Sequence, residues 1–257
     1  MRLADALLPL LPGGEGLVAF VGAGGKTSLL LHLARELEAE GRAVLVTTTT
    51  HLADPGAEGA SAARIVFRGD LEHPAGPEEP AGPEPRPGVT LLVSRPADEP
   101  GKLKGIHPSR VAALKRTWGL VLVEADGSRR LPIKAPASFE PAVPEGTDLV
   151  VGVVGLDALG RPMDERTVHR PERFAAVTGC AAGAPIGWDH VVALARHPEG
   201  LFKGAPGRRV ALLNKADEAP YIPSPGQLAA LGADLVLLSG AESGGRVFLA
   251  VRPRVPG

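Results

Sequence analysis

The sequence predicts an α/β protein built on a mostly parallel sheet with helices covering both faces. Three observations lead there. Apolar, β-branched runs alternate with helix-period patterns along the 257 residues. The first of these runs ends in glycines and passes directly into a helical pattern. Other runs, over residues 119–124 and 149–154, are apolar at nearly every position, as strands buried on both faces require.

Residues 17–21 form the first strand. Residues 27–40 then carry a helical stripe of Leu29, Leu30, Leu33, Ala34 and Leu37, with His32, Arg35, Glu36 and Glu38 largely on the other side. Gly41 is placed to end that helix. A second strand follows over 43–49, giving a βαβ unit whose crossover should be right-handed. Residues 72–88 are almost entirely Pro, Gly, Glu and Ala, too poor in apolar surface to offset the cost of ordering, and read as a mobile insertion. Short strands over 64–67 and 89–93 flank it. Further on, helices are expected over 109–117, 171–178, 188–196 and 227–231, and strands over 119–124, 149–154, 209–213, 234–238 and 248–251. There is no internal repeat, and the pattern reads as one domain over 1–257.

Composition narrows the function. Lys and Arg number 28 against 29 Asp and Glu, a net charge of −1, which gives a nucleic-acid or anionic-membrane partner no support. The single cysteine, Cys180, leaves no disulfide framework or Cys/His metal site within one chain. It lies among small apolar residues and reads as a buried hydrophobe. The N-terminal stretch contains Asp5 and is broken by Pro9 and Pro12, a poor signal peptide. No run approaches the ~18 apolar residues of a membrane helix, so a cytoplasmic protein is expected.

Gly22-Ala23-Gly24-Gly25-Lys26-Thr27, followed by Ser28, stands between the first strand and the first helix. Glycines there let backbone N–H groups curl around phosphate oxygens, and the helix start adds unpaired donors and a positive dipole end. Lys26 would reach the β/γ-phosphates and the Thr27 hydroxyl would ligate Mg²⁺. This is a P-loop, and the fold is read as P-loop NTPase-like. The standard pattern wants a glycine where Phe20 stands; the shorter G-x-x-G-K-T form also occurs in the Mur ligases. The plain alternative is a glycine-rich turn with a solvated lysine.

A P-loop needs an acid at the end of a neighbouring strand to serve Mg²⁺, and Glu124 and Asp126 are the candidates. Glu124-x-x-Gly127 resembles the switch element of GTPases that insert nickel into urease and hydrogenase. A strand-end acid can equally cap a helix or sit in solvent. Asn214-Lys215-Ala216-Asp217 matches the N-K-x-D element that reads guanine: the carboxylate accepts from the guanine N1–H and amino group, the lysine stem packs over the ring, and the asparagine braces the loop. Ser239-Gly240-Ala241 would supply the backbone that meets the guanine O6. At the end of the second strand, the Thr50 hydroxyl is a candidate for sensing Mg²⁺ or the γ-phosphate and His51 for a substrate or switch contact, although threonines also simply suit strands.

Several segments together resemble the selenium-dependent hydroxylase accessory protein (YqeC) family. They are Val21 through Thr27, Val46-Thr47-Thr48-Thr49-Thr50, Val123-Glu124-Ala125-Asp126-Gly127-Ser128 and Leu131-Pro132-Ile133-Lys134-Ala135-Pro136. Later come Val153 through Gly160, Val168-His169-Arg170-Pro171-Glu172, His197-Pro198-Glu199-Gly200 and Leu213 through Asp217. The resemblance implies a P-loop protein, binding GTP or ATP with Mg²⁺, that serves maturation of a molybdenum hydroxylase, with that enzyme or its maturation factors as partner. Lys134 between prolines, and His169, Arg170 and Glu172 before a helix that Pro171 starts, have no P-loop explanation. They become candidates for substrate or switch contacts, or else for capping. The function expected is a slow GTPase or ATPase, guanine favoured. A nucleotide-dependent transferase or ligase, and a non-hydrolysing cofactor-delivery module, remain as alternatives. Nothing identifies an oligomeric interface.

Overall fold

The computed structural model describes residues 1–54, 64–74, 82–241 and 247–252. Among the described residues nine strands form one sheet: β1 (Gly16–Gly22), β2 (Ala43–Thr48), β3 (Arg64–Phe67), β4 (Gly88–Val93), β5 (Leu120–Glu124), β6 (Leu149–Gly155), β7 (Arg208–Asn214), β8 (Leu235–Ser239) and β9 (Val247–Val251). Their order is β9-β8-β7-β6-β1-β5-β2-β4-β3. Every neighbouring pair is parallel except β8 and β9. The helices are α1 (Leu3–Leu7), α2 (Lys26–Glu38), α3 (Pro108–Leu114), α4 (Pro171–Thr178), α5 (Trp188–Arg196) and α6 (Pro225–Ala229).

Alternation along β1 sorts the core into two layers. Val18 and Phe20 pack on the side of α1 and α2, with Leu29, Leu30, Leu33 and Leu37. Leu17, Ala19 and Val21 pack on the other side, with Leu114, Phe174, Val191, Leu194 and Leu228 from the remaining helices and Trp118 from the loop after α3. Helices on both faces are what a fully buried parallel sheet demands, because neither face can be left to water. Burying each such leucine contributes about 1.5–3 kcal/mol. Helix α2 ends as expected: Gly41, at φ +77°, lets its own N–H reach Glu38 O at 2.8 Å and the Arg42 N–H reach Leu37 O at 3.2 Å.

Two features add to the sequence expectations and a third departs from them. The strands of the first βαβ unit are not neighbours: β5 lies between β1 and β2 and pairs with both. Short ladders join the loops, His51–Ala53 with Lys102–Lys104, the latter with Arg95–Pro96, and Ile133–Lys134 with Val168–His169. Of the insertion read as mobile, residues 75–81 lie outside the described residues, while the part from Gly82 onward is laid against the fold. There the Trp118 indole donates to Pro83 O at 2.9 Å, and a Cβ on Gly82 would meet Leu114 at 2.7 Å.

Among the described residues, no helix is long and apolar enough to cross a membrane. Cys180 is buried, and that burial pushes its thiol up from the ordinary value.

Candidate functional site

The carboxyl ends of β1, β5, β2, β6 and β7 meet at one edge of the sheet, and the candidate residues gather there. Gly22, Gly24 and Gly25 have φ of +92°, +86° and +108°, where a side chain is strained. Close packing excludes one as well. A Cβ on Gly22 would lie 2.3 Å from Val153 O, on Gly24 2.1 Å from Gly155 N, and on Gly25 2.7 Å from Asn214 Nδ2. The Ala23 and Gly24 amides donate to Val153 O (2.9 Å) and Leu131 O (3.0 Å). Helix α2 then begins at Lys26, so the donors the loop can present are the first-turn amides, which have no intrahelical partner. Ser28 is exposed on that turn.

Lys26 is buried and turned inward. Its ammonium donates to Gly22 O at 2.6 Å and lies 3.1 Å from Asp126 Oδ1 and 3.9 Å from Glu124 Oε1. Thr27 donates its hydroxyl to Glu124 Oε2 at 2.6 Å. Burial pushes the Glu124 carboxyl above its ordinary value, opposed by the Lys26 charge and the Thr27 hydrogen bond. The Thr48 hydroxyl donates to Glu124 O at 2.9 Å and accepts from the Thr50 amide at 3.1 Å, with the Thr50 hydroxyl 3.4 Å away. Thr50 is thus brought to the Glu124 strand end. His51 is exposed and pairs in register with Lys104, on the rim.

Asp126 Oδ2 accepts from the Gly22 amide at 3.0 Å and sits 2.9 Å from Lys134 Nζ. Lys134, 1% exposed, also donates to Gly127 O and to Glu140 Oε2, each at 2.7 Å. Its ammonium is therefore held by three oxygens within the protein, two by hydrogen bonds and Asp126 as an ion pair, which makes it a brace. Glu140 in turn receives Arg170 on both oxygens, at 2.7 and 3.0 Å. Burial alone would raise the Glu140 carboxyl, but Arg170 and Lys134 hold it below the usual carboxylate range.

His169 stands beside Lys134 in the short parallel ladder. Burial, then the charges of Arg170 and Lys134, push its imidazole down to about 4. Arg170 has a left-handed backbone, φ +67° and ψ 68°, immediately before α4. Glu172 is exposed in the first turn of α4, and none of these hydrogen bonds or ion pairs involves it.

On the other flank, the Asn214 side chain donates from Nδ2 to Gly24 O at 2.9 Å and accepts the Ser239 hydroxyl at 2.9 Å. Both residues are buried, so they brace the glycine loop against β7 and β8. Lys215, at φ +57°, places Nζ 3.0 Å from Asp157 Oδ2. Asp217 is exposed and accepts the Ala241 amide at 2.9 Å, close over Gly240. The N-K-x-D segment and the 239–241 segment are therefore one assembly.

Two buried acids escaped the sequence reading. Glu140 belongs to no motif, and its partners are 6 and 30 positions away. Asp157 lies within the Val153–Gly160 stretch but shows no spacing that announces its contact with Lys215.

The donors near Thr27 are hydroxyl and carboxylate oxygens, the hard ligands that Mg²⁺ takes alongside phosphate and water. Among the described residues, no group of three or more His, Cys, Asp or Glu is placed to hold a metal alone. That donor set fits a metal that arrives with a phosphate ligand.

Fold and site define an α/β protein with a mostly parallel central sheet, whose glycine loop runs from the central strand into a helix beside two buried carboxylates. The YqeC protein family matches residues 18–172, more than half the chain. YqeC of Escherichia coli is 39% identical over 202 residues, covering 77% of this chain and 75% of that protein. The chain belongs to the YqeC family. No solved structure gave a significant match.

Proposed function

We propose that this protein binds a nucleoside triphosphate with Mg²⁺ and hydrolyses it slowly, as an accessory factor in maturation of a molybdenum hydroxylase, including those that depend on selenium. One observation carries the reading: the glycine loop holds Lys26 and Thr27 directly against Glu124 and Asp126. A lysine, a hydroxyl and a strand-end carboxylate gathered at a helix start are the parts phosphoryl chemistry requires.

In this reading the first-turn amides of α2 and Lys26 bind the β- and γ-phosphates, displacing the lysine from Gly22 O. Thr27 and Glu124 hold Mg²⁺, which neutralises charge on the phosphates. Thr50 lies close enough to the same strand end to orient water or metal. The base lies toward Asp217, with Asn214 and Ser239 fixing the loops that frame it. Guanine is favoured, because the Asp217 carboxylate, drawn off the Ala241 amide, would give the guanine N1–H and amino group paired acceptors that adenine cannot use in the same arrangement.

Phosphate release from GTP and from ATP, with and without Mg²⁺, tests the reading. Mg²⁺-dependent release that is faster with GTP, and absent in Glu124→Gln, is the expected result. Binding without release would support a delivery module instead. Transfer of phosphate or AMP to an added acceptor would support a transferase.

A further inference from the structure

From the glycine loop to the start of α4 runs an unbroken chain of five side chains of alternating charge: Lys26, Asp126, Lys134, Glu140 and Arg170. The successive separations are 3.1, 2.9, 2.7 and 2.7 Å. All but Arg170 are at least nine-tenths buried. A buried charge is tolerated only while paired, so displacing one member changes what its neighbour must do.

Glu140 is the junction. Its Oε2 takes both Lys134 and Arg170 Nη1, and its Oε1 takes Arg170 Nη2. The loop around it is pinned on its outer side, where Arg173 donates to Pro136 O at 2.7 Å and Lys203 to Ser138 O at 3.0 Å. Glu140 therefore has little freedom to follow a partner that moves. Arg170 is the opposite case. A non-glycine residue at φ +67° is held there by its contacts and relaxes when they weaken.

We infer that Glu140 is a positioning residue of the nucleotide site: through Lys134 it sets Asp126 against Gly22 and Lys26, and through Arg170 it ties the glycine loop to residues 168–170. The inference rests on the nucleotide reading above. Asp126 lies between two lysines, with Oδ1 near Lys26 and Oδ2 near Lys134. A triphosphate that draws Lys26 to its own oxygens leaves Lys134 as the cation facing Asp126. Lys134, already 2.9 Å from Asp126, then balances that carboxylate alone, and its hold on Glu140 weakens. Arg170 and the adjacent His169 feel the change. Occupancy of the loop is thereby reported at the protein surface more than a hundred residues along the chain.

Amide hydrogen exchange over residues 166–172 tests this, using a non-hydrolysable GTP or ATP analogue, whichever binds better, with Mg²⁺. In the unsubstituted protein the analogue should change exchange in that segment. Glu140→Gln should still bind the analogue, with an affinity measured by calorimetry that is lowered by about fivefold or more as its positioning role requires, and at saturating analogue it should lose the exchange response. Should Glu140→Gln fail to fold, Arg170→Gly serves. Glycine suits the left-handed backbone and removes the whole side chain, guanidinium included, while Glu140 keeps its bond from Lys134, so the fold is kept and the response lost. A full response in either folded variant overturns the inference, as does an unsubstituted protein that binds the analogue without any change over 166–172. A protein that binds neither analogue fails at the nucleotide reading itself, a distinct result that removes this inference with it.

Discussion

Thr27 donates its hydroxyl to Glu124 Oε2 at 2.6 Å, joining the first turn of α2 to the end of β5. The two residues are 97 positions apart, and adjacent parallel strands bring them together. In the proposed function this contact would hold a hard cation that phosphate oxygens complete. Thr27→Ala should therefore reduce the Mg²⁺-dependent part of nucleotide affinity by about tenfold or more, as loss of a ligand or its support commonly does. Thr27→Ser, which keeps the hydroxyl, should retain it. Calorimetric titration with and without Mg²⁺ separates the two.

Gly24 tolerates no side chain. At φ +86° a Cβ would lie 2.1 Å from Gly155 N and 2.6 Å from its Cα, both backbone atoms that cannot rotate away. Gly24→Ala should cost about 3 kcal/mol or more through strain and overpacking together. Chemical denaturation measures it, and a loss under about 1 kcal/mol would mean the loop is looser than described.

Asn214→Ala should act on stability and binding at once. It leaves Gly24 O and the Ser239 hydroxyl without their buried partner, a cost of about 1–3 kcal/mol. Affinity for guanine and adenine nucleotides should fall equally, since the lost contact is to the glycine loop. Asp217→Asn should do the reverse, sparing stability and removing the guanine preference. Paired titrations with GTP and ATP analogues check both variants.

His169 supplies a pH dependence. Its imidazole titrates at about 4 in the folded protein against 6.5 ordinarily. Between those values the unfolded chain binds more protons than the folded one, so stability rises with pH across the window and is lost as pH falls through it. The ring is only partly buried, and solvent screening reduces the effect below what the full shift implies. His169→Gln should flatten the stability profile between pH 4 and 6.5. Ring NMR should place the titration well below that of an exposed histidine.

Much of the frame was legible in the chain because its signals are local. Strands β1, β5 and β6 are apolar at nearly every position, and the stripe of α2 follows from the spacing of Leu29, Leu30, Leu33 and Leu37. Boundaries slipped where caps decide them. Helix α6 begins at Pro225, two residues before the reading, because Ser224 and Gln227 cap it reciprocally. The position of β5 between β1 and β2 is a long-range pairing with no local signature. The same holds within the site. The glycine loop and Asn214 could be found from motif chemistry, and Asn214 does brace Gly24. The role of Lys134 as an internal strut could not, because it depends on Glu140 and Asp126 converging from separate loops. Glu140 itself meets Arg170 only through the fold.

Binding of a triphosphate at Lys26 is the central claim, and one titration tests it most directly. The protein and its Lys26→Ala variant would each be titrated calorimetrically with non-hydrolysable GTP and ATP analogues in Mg²⁺. Saturable binding to the unsubstituted protein that is abolished in a folded Lys26→Ala variant is the predicted result. Equal affinity in both proteins, or no binding to either, would contradict it.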